Sequence, residues 1–185
     1  MTDNKQTQDG QQKEVLSAES GYDWVSVMIT ALLCVAVVFT LFFRMVSVKG
    51  DSMKNTLHNG DRLIMISQFY KIERGDVVVI NRDNDDPLIK RVIAVAGDTI
   101  KIDDTTGKVM LNGAYIDEPY VNGGVTPSFG FDDTYTVPDG FVFAMGDNRP
   151  DSKDSRMLGA FSLDDVLGKT VFRLWPDPGA VRNGE

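Results

Sequence analysis

The chain has 185 residues, 42% of them hydrophobic and 25% charged, with a formal net charge of −8. That length suits one ordinary domain and is short for two, and the composition is too apolar for a disordered chain. An acidic chain without a long basic block is a poor match for a phosphate backbone, so no nucleic-acid partner is expected.

Residues 1–21 are rich in Gln, Asp, Lys and Ser and read as a flexible tail. Val25 to Phe43 is a run of 19 residues without a charge. As a helix it would span roughly 28 Å, the thickness of a bilayer core. A cleaved leader would begin sooner, carry a basic lead and end on small residues, and none of these is seen. A retained transmembrane helix over residues 22–43 is therefore expected, with Tyr22 and Trp24 at an interface. Arg44, Lys49 and Lys54 follow this helix while the tail has only Lys5 and Lys13, so the charge count gives no support to an outward-facing C-terminal domain. The single cysteine, Cys34, lies within the apolar run, which leaves the rest of the chain without thiol chemistry.

From residue 44 to 185 the pattern is that of a β domain. Arg62–Tyr70, Asp76–Ile80 and Leu88–Ala96 are rich in β-branched or large apolar residues, and Thr99–Ile102 alternates as a half-buried strand does. Lys108–Leu111 and Ala114–Ile116 flank Asn112-Gly113, the pair that a type I′ hairpin turn favours. Asp117–Asp133, with its Pro and Gly residues, reads as an irregular excursion. Thr134–Val137, Phe141–Ala144 and Thr170–Leu174 complete seven or eight strands, and Ser162–Leu167 alone looks helical, with Ser162 as its cap. Many short strands joined by Gly-containing turns predict a mainly β, antiparallel, barrel-like fold.

The one histidine, His58, excludes a three-histidine zinc site and reads as a structural or surface residue. Neither Asn81/Asp83/Asp85 nor Asp147/Arg149/Asp151 completes a calcium loop, and no phosphate-binding glycine motif is present. Ser52 and Lys90 remain. A lysine within the apolar segment Leu88–Ile93, if turned inward, would lose its proton more readily and become a base for a serine hydroxyl. An outward lysine protecting an edge strand is the simpler reading of the same residues. One serine and one lysine 38 positions apart do not make a motif.

Four segments together resemble the type I signal peptidases, in their short bacterial form with one N-terminal membrane helix. Ser52-Met-Lys-Asn-Thr-Leu57 resembles S-M-x-P-T-L; Arg74-Gly-Asp-Val-Val-Val79 resembles R-G-D-[IV]-V-V. Lys90-Arg-Val-Ile93 with Gly97-Asp98 resembles K-R-V-I-x-x-x-G-D, and Gly146-Asp-Asn-Arg-Pro-Asp-Ser-Lys-Asp-Ser-Arg156 resembles G-D-N-R-x-x-S-x-D-S-R. The chain departs at Asn55 and Ala96, where the family commonly has proline.

The resemblance implies a serine endopeptidase that removes signal peptides from exported preproteins. Ser52 would be the nucleophile and Lys90 the general base, with Ser152 orienting the lysine amine. The backbone N–H of Ser52 would stabilise the oxyanion, since position 50 is glycine and offers no hydroxyl. Asp147, Asn148, Arg149, Asp154 and Arg156 would form a structural network beside the site, and Met53 would pack near the substrate cleft. Preproteins with small residues before the cut, the bilayer and nearby export machinery are the implied partners, and no metal or cofactor is expected. The tail would be cytoplasmic and residues 44–185 an extracytoplasmic catalytic domain. The competing class is an anchored β domain that binds without cleaving; its mark would be a Lys90 that faces solvent or stands apart from Ser52.

Overall fold

The computed structural model describes residues 3–83, 85–122, 124–131 and 133–181, with side chains from Tyr22 onward. Two compact units divide the chain at Phe42/Phe43. The first holds helix α1, Asp3–Phe42. Its stretch Tyr22–Phe42 is long and apolar enough to cross a membrane. Side chains from Tyr22 to Leu41 are all exposed, so the stretch is not the core helix of a globular unit, and an apolar solvent suits it better than water. Its two threonine hydroxyls are satisfied internally: Thr30 and Thr40 donate to the carbonyls of Ser26 and Ala36 at 2.8 and 2.7 Å. The helical backbone also runs N-terminal to the apolar stretch, back into the segment that the composition set apart as a tail.

The second unit is mainly β. Its strands are β1 (Phe43–Ser47), β2 (Arg62–Ile66), β3 (Val77–Ile80), β4 (Leu88–Val95), β5 (Thr99–Asp103), β6 (Lys108–Leu111), β7 (Ala114–Tyr115), β8 (Tyr135–Thr136), β9 (Phe141–Met145), β10 (Phe161–Ser162), β11 (Val166–Trp175) and β12 (Gly179–Ala180). A short helix, α2, covers Ser155–Leu158. Among the described residues the strands form two antiparallel sheets. The larger, a curled half-barrel, runs β1-β2-β11-β3-β4-β9-β10 with β12 on β11, and the smaller runs β7-β6-β5-β8.

Asn112 and Gly113 both have positive φ, 53° and 82°, as their hairpin turn requires. No regular element interrupts the described part of the excursion from Asp117 to Asp133; Gly123 and Asp132 lie outside the described residues. The Ser162 cap forms, its hydroxyl accepting from the Asp164 N–H, but it starts only a 3₁₀ turn, Leu163–Asp165. There β11 takes over, because Val166 enters the ladder beside Ile80 of β3. Strand β1 starts at Phe43, the residue at which the apolar run was expected to end, and pairs Phe43 with Ile66.

One core cluster lies under the loop between β1 and β2, where Val48, Met53 and Leu57 pack with Leu63, Met65, Val77, Val79 and Ile89. Burying such side chains is worth about 1.5–3 kcal/mol each. The loop is sealed at its neck by Val48 N–H to the Asp61 carbonyl and Gly60 N–H to the Val48 carbonyl, both 2.9 Å. It is therefore a fixed platform, and Ser52 stands on it.

Candidate active site

Lys90 sits on β4, between β3, which pairs with Leu88–Arg91, and β9, which pairs with Arg91–Val95. Its neighbours cover it, and it is 2% exposed. An interior strand does not need an outward lysine for protection, and the side chain turns inward instead. Its Nζ lies 2.6 Å from the Oγ of Ser52. Burial is the main influence on the amine and lowers its pKa from 10.5 to about 8; Asp154 and Asp147 push it up and Arg156 pushes it down. Desolvation outweighs these surrounding charges and decides the sign. A solvent-facing lysine apart from Ser52, the mark of a non-cleaving domain, is not what this chain has.

Ser52 is held by the segment that leaves β9. The Asn148 N–H donates to the Ser52 carbonyl at 3.0 Å, and its side-chain amide donates to the Asp51 carbonyl at 3.1 Å. The Ser52 N–H itself donates to no described atom. Gly146 passes so close that a Cβ there would overlap both the Ser152 Oγ and the Ser52 carbonyl oxygen. Ser152 is buried, and its Oγ has no hydrogen-bond partner among the described residues. Met53 turns down into the core at 1% exposure and so anchors the backbone next to Ser52. His58 is exposed, and its N–H donates to the Asp61 carboxylate.

Three buried arginine–carboxylate pairs surround this platform. Arg91 donates from Nε and Nη2 to the two oxygens of Asp147 at 2.8 and 2.7 Å, and stacks over the Tyr120 ring at 4.1 Å. Arg156 donates from Nε and Nη2 to Asp154 at 2.9 and 2.8 Å, and Asp154 also accepts from the Gly146 N–H at 3.0 Å. Burial pushes the Asp154 carboxyl up, yet the bonds and charge of Arg156 prevail and hold it below the usual carboxylate range. Arg149 donates to Glu118, to Thr126 and, at 2.9 Å, to the Gly146 carbonyl. Bidentate geometry is what makes such buried charges tolerable.

Asp147, Asn148, Arg149, Asp154 and Arg156 are thus brought together around Gly146. Arg91, Thr56, Glu118, Tyr120 and Thr126 were not singled out from the sequence. For Arg91 a signal existed: neighbouring residues on a strand face opposite sides, so Lys90-Arg91 inside an apolar strand puts a cation on each side, and the arginine needs a buried carboxylate.

The family profile described as "Signal peptidase, peptidase S26" matches residues 21–175. The chain belongs to this signal peptidase family. It is 33% identical over 172 residues to signal peptidase IB of Staphylococcus aureus (strain COL), covering 83% of this chain and 89% of that protein. It is 34% identical over 176 residues to signal peptidase I S of Bacillus subtilis (strain 168), covering 89% and 94%. A crystal structure of a signal peptidase I from Enterococcus faecalis V583 aligns with 28% identity and a TM-score of 0.46, over 55% of this chain and 98% of that one. Family membership supports a serine endopeptidase of the signal-peptidase type, acting on exported preproteins at a membrane.

Proposed function

We propose that this signal peptidase cuts its preproteins with a Ser52–Lys90 dyad. The observation that carries the reading is a buried amine of lowered pKa at 2.6 Å from a serine hydroxyl. The neutral Nζ takes the Ser52 proton as Oγ attacks the scissile carbonyl. The Lys90 ammonium then gives that proton to the departing amine, which leaves the signal peptide as an ester on Ser52. Water, deprotonated by Lys90, attacks the ester, and the proton returns to Oγ on release. Every atom and proton in this cycle is accounted for by serine, lysine, peptide and water.

The oxyanion donor is the Ser52 N–H, which has no described partner to compete with the substrate. Asp147, Asn148, Arg149, Asp154 and Arg156 hold the platform and do not transfer protons. Ser152 is the group to orient the Lys90 amine in the substrate complex: its buried Oγ makes no hydrogen bond of good geometry here, and its nearness to Asp154 helps hold that carboxyl down. An extended peptide with small side chains before the cut is the substrate class.

The placement follows the same reading: residues 1–21 in the cytoplasm, Tyr22–Phe42 across the bilayer, and the β unit outside, near the export machinery. An apolar face of that unit supports closeness to lipid. Register puts Phe43, Met45, Ile64, Ile66 and Phe172 on one side of β1, β2 and β11, where Met45 is 62% exposed, with Trp175 at the same edge 64% exposed.

Preprotein cleavage in detergent by wild type, Ser52→Ala and Lys90→Ala tests the dyad. Each variant should fall by roughly 10³-fold or more while keeping its fold. Substantial cleavage by either variant overturns the assignment. Protease protection in intact cells tests the placement, and a shielded β unit would reverse it.

A further inference from the structure

Asn55 is the third residue of a turn closed by the Thr56 N–H on the Met53 carbonyl at 3.0 Å, and its φ is +80°. Proline is locked near −65°, so the proline of the resembling motif does not fit this loop as it is built here. Asparagine and glycine are the residues that enter the left-handed region at little cost.

Both flanks of the turn are pinned. On one side the carbonyls of Asp51 and Ser52 are held by Asn148. On the other, the Thr56 hydroxyl donates to the Asp147 carboxylate, the Thr56 carbonyl accepts from Arg173 Nη1 at 3.2 Å, and Met53 and Leu57 are each 1% exposed in the core. Between these fixed points the chain turns through the positive φ at residue 55. The Asn55 side chain is exposed, so its contribution lies in the backbone.

We propose that Asn55 is a positioning residue for Ser52: through its left-handed backbone it sets how far the nucleophile loop reaches toward Lys90. The proposal rests on the dyad reading. It requires glycine to replace asparagine freely, and any residue that resists positive φ to draw Oγ away from the amine.

The test is preprotein cleavage by the full-length protein in detergent, with Asn55→Gly, Asn55→Ala and Asn55→Pro beside Ser52→Ala, and thermal melts for each. Asn55→Gly should hold kcat within about twofold. Asn55→Ala should lower kcat several-fold and Asn55→Pro by about tenfold or more, both with KM little changed. Wild-type kcat in the proline variant, or a glycine variant as damaged as the proline one, overturns the proposal. If the proline variant does not fold, equal kcat in the alanine and glycine variants overturns it. Cleavage retained by Ser52→Ala would instead sink the dyad itself, a different and separable result.

Discussion

The side-chain amide of Asn148 donates to the Asp51 carbonyl at 3.1 Å, and this bond fixes the direction of the Ser52 N–H on the other side of the same peptide group. A trans peptide is planar, with its carbonyl and N–H pointing opposite ways. Holding the oxygen toward Asn148 therefore aims the hydrogen away from it. Asn148→Ala should let that plane rotate and lower kcat by roughly 10- to 100-fold, with a smaller effect on KM. Steady-state kinetics on a preprotein check this, and an unchanged kcat would show that the plane is held by other contacts.

The rate should also follow the ionisation of Lys90. With the amine's pKa lowered to about 8 by burial, kcat/KM should climb as pH rises through that value and level off above it. A rate that stays flat from pH 6 to 9, with the fold intact, would remove lysine as the base.

The same burial makes the native enzyme less stable than it need be. Unfolded Lys90 keeps its ordinary pKa of 10.5, so at pH 7 the folded state carries a desolvated cation, at a cost of about 3 kcal/mol. Between pH 8 and 10.5 the unfolded chain binds the extra proton, and native stability should rise with pH across that window. Lys90→Met should therefore melt higher than wild type at pH 7, with the gap narrowing toward pH 10.5. Thermal melts at the two pH values measure it, and a destabilised methionine variant at pH 7 would contradict it.

Gly146 has no room for a side chain, because its Cα faces the Ser152 hydroxyl and the Ser52 carbonyl. Gly146→Ala should push the nucleophile loop off the β9 segment, lowering kcat/KM by about 10²-fold and stability by roughly 1–3 kcal/mol. Activity and melting measured on one preparation check both, and wild-type cleavage by this variant would show that the loop yields freely.

Local signals in the sequence were reliable where the structure is local. The Asn112-Gly113 hairpin, the alternation of Thr99–Ile102 and the apolar run all depend on neighbours in the chain. The four motif segments pointed to Ser52, Lys90 and the stretch from Gly146 to Arg156, which the fold does bring together. What was not legible depends on distant partners. Whether Lys90 faces in or out is decided by β3 and β9, and β9 lies some 50 residues downstream. The full extent of β11 depends on pairing with β3 and β2, roughly 90 and 110 residues upstream. The platform's charge pairs are similar, since Arg91 meets Asp147 across 56 positions.

The three arginine–carboxylate pairs and the covered amine also act as a safeguard. In water an ordinary lysine is protonated at neutral pH and cannot serve as a base. Only after Arg91, Arg149 and Arg156 have found their carboxylates and the walls have closed over residue 90 does the amine give up its charge readily. On the proposed mechanism a newly made or damaged copy lacks an effective base, and proteolytic power arrives together with the finished fold.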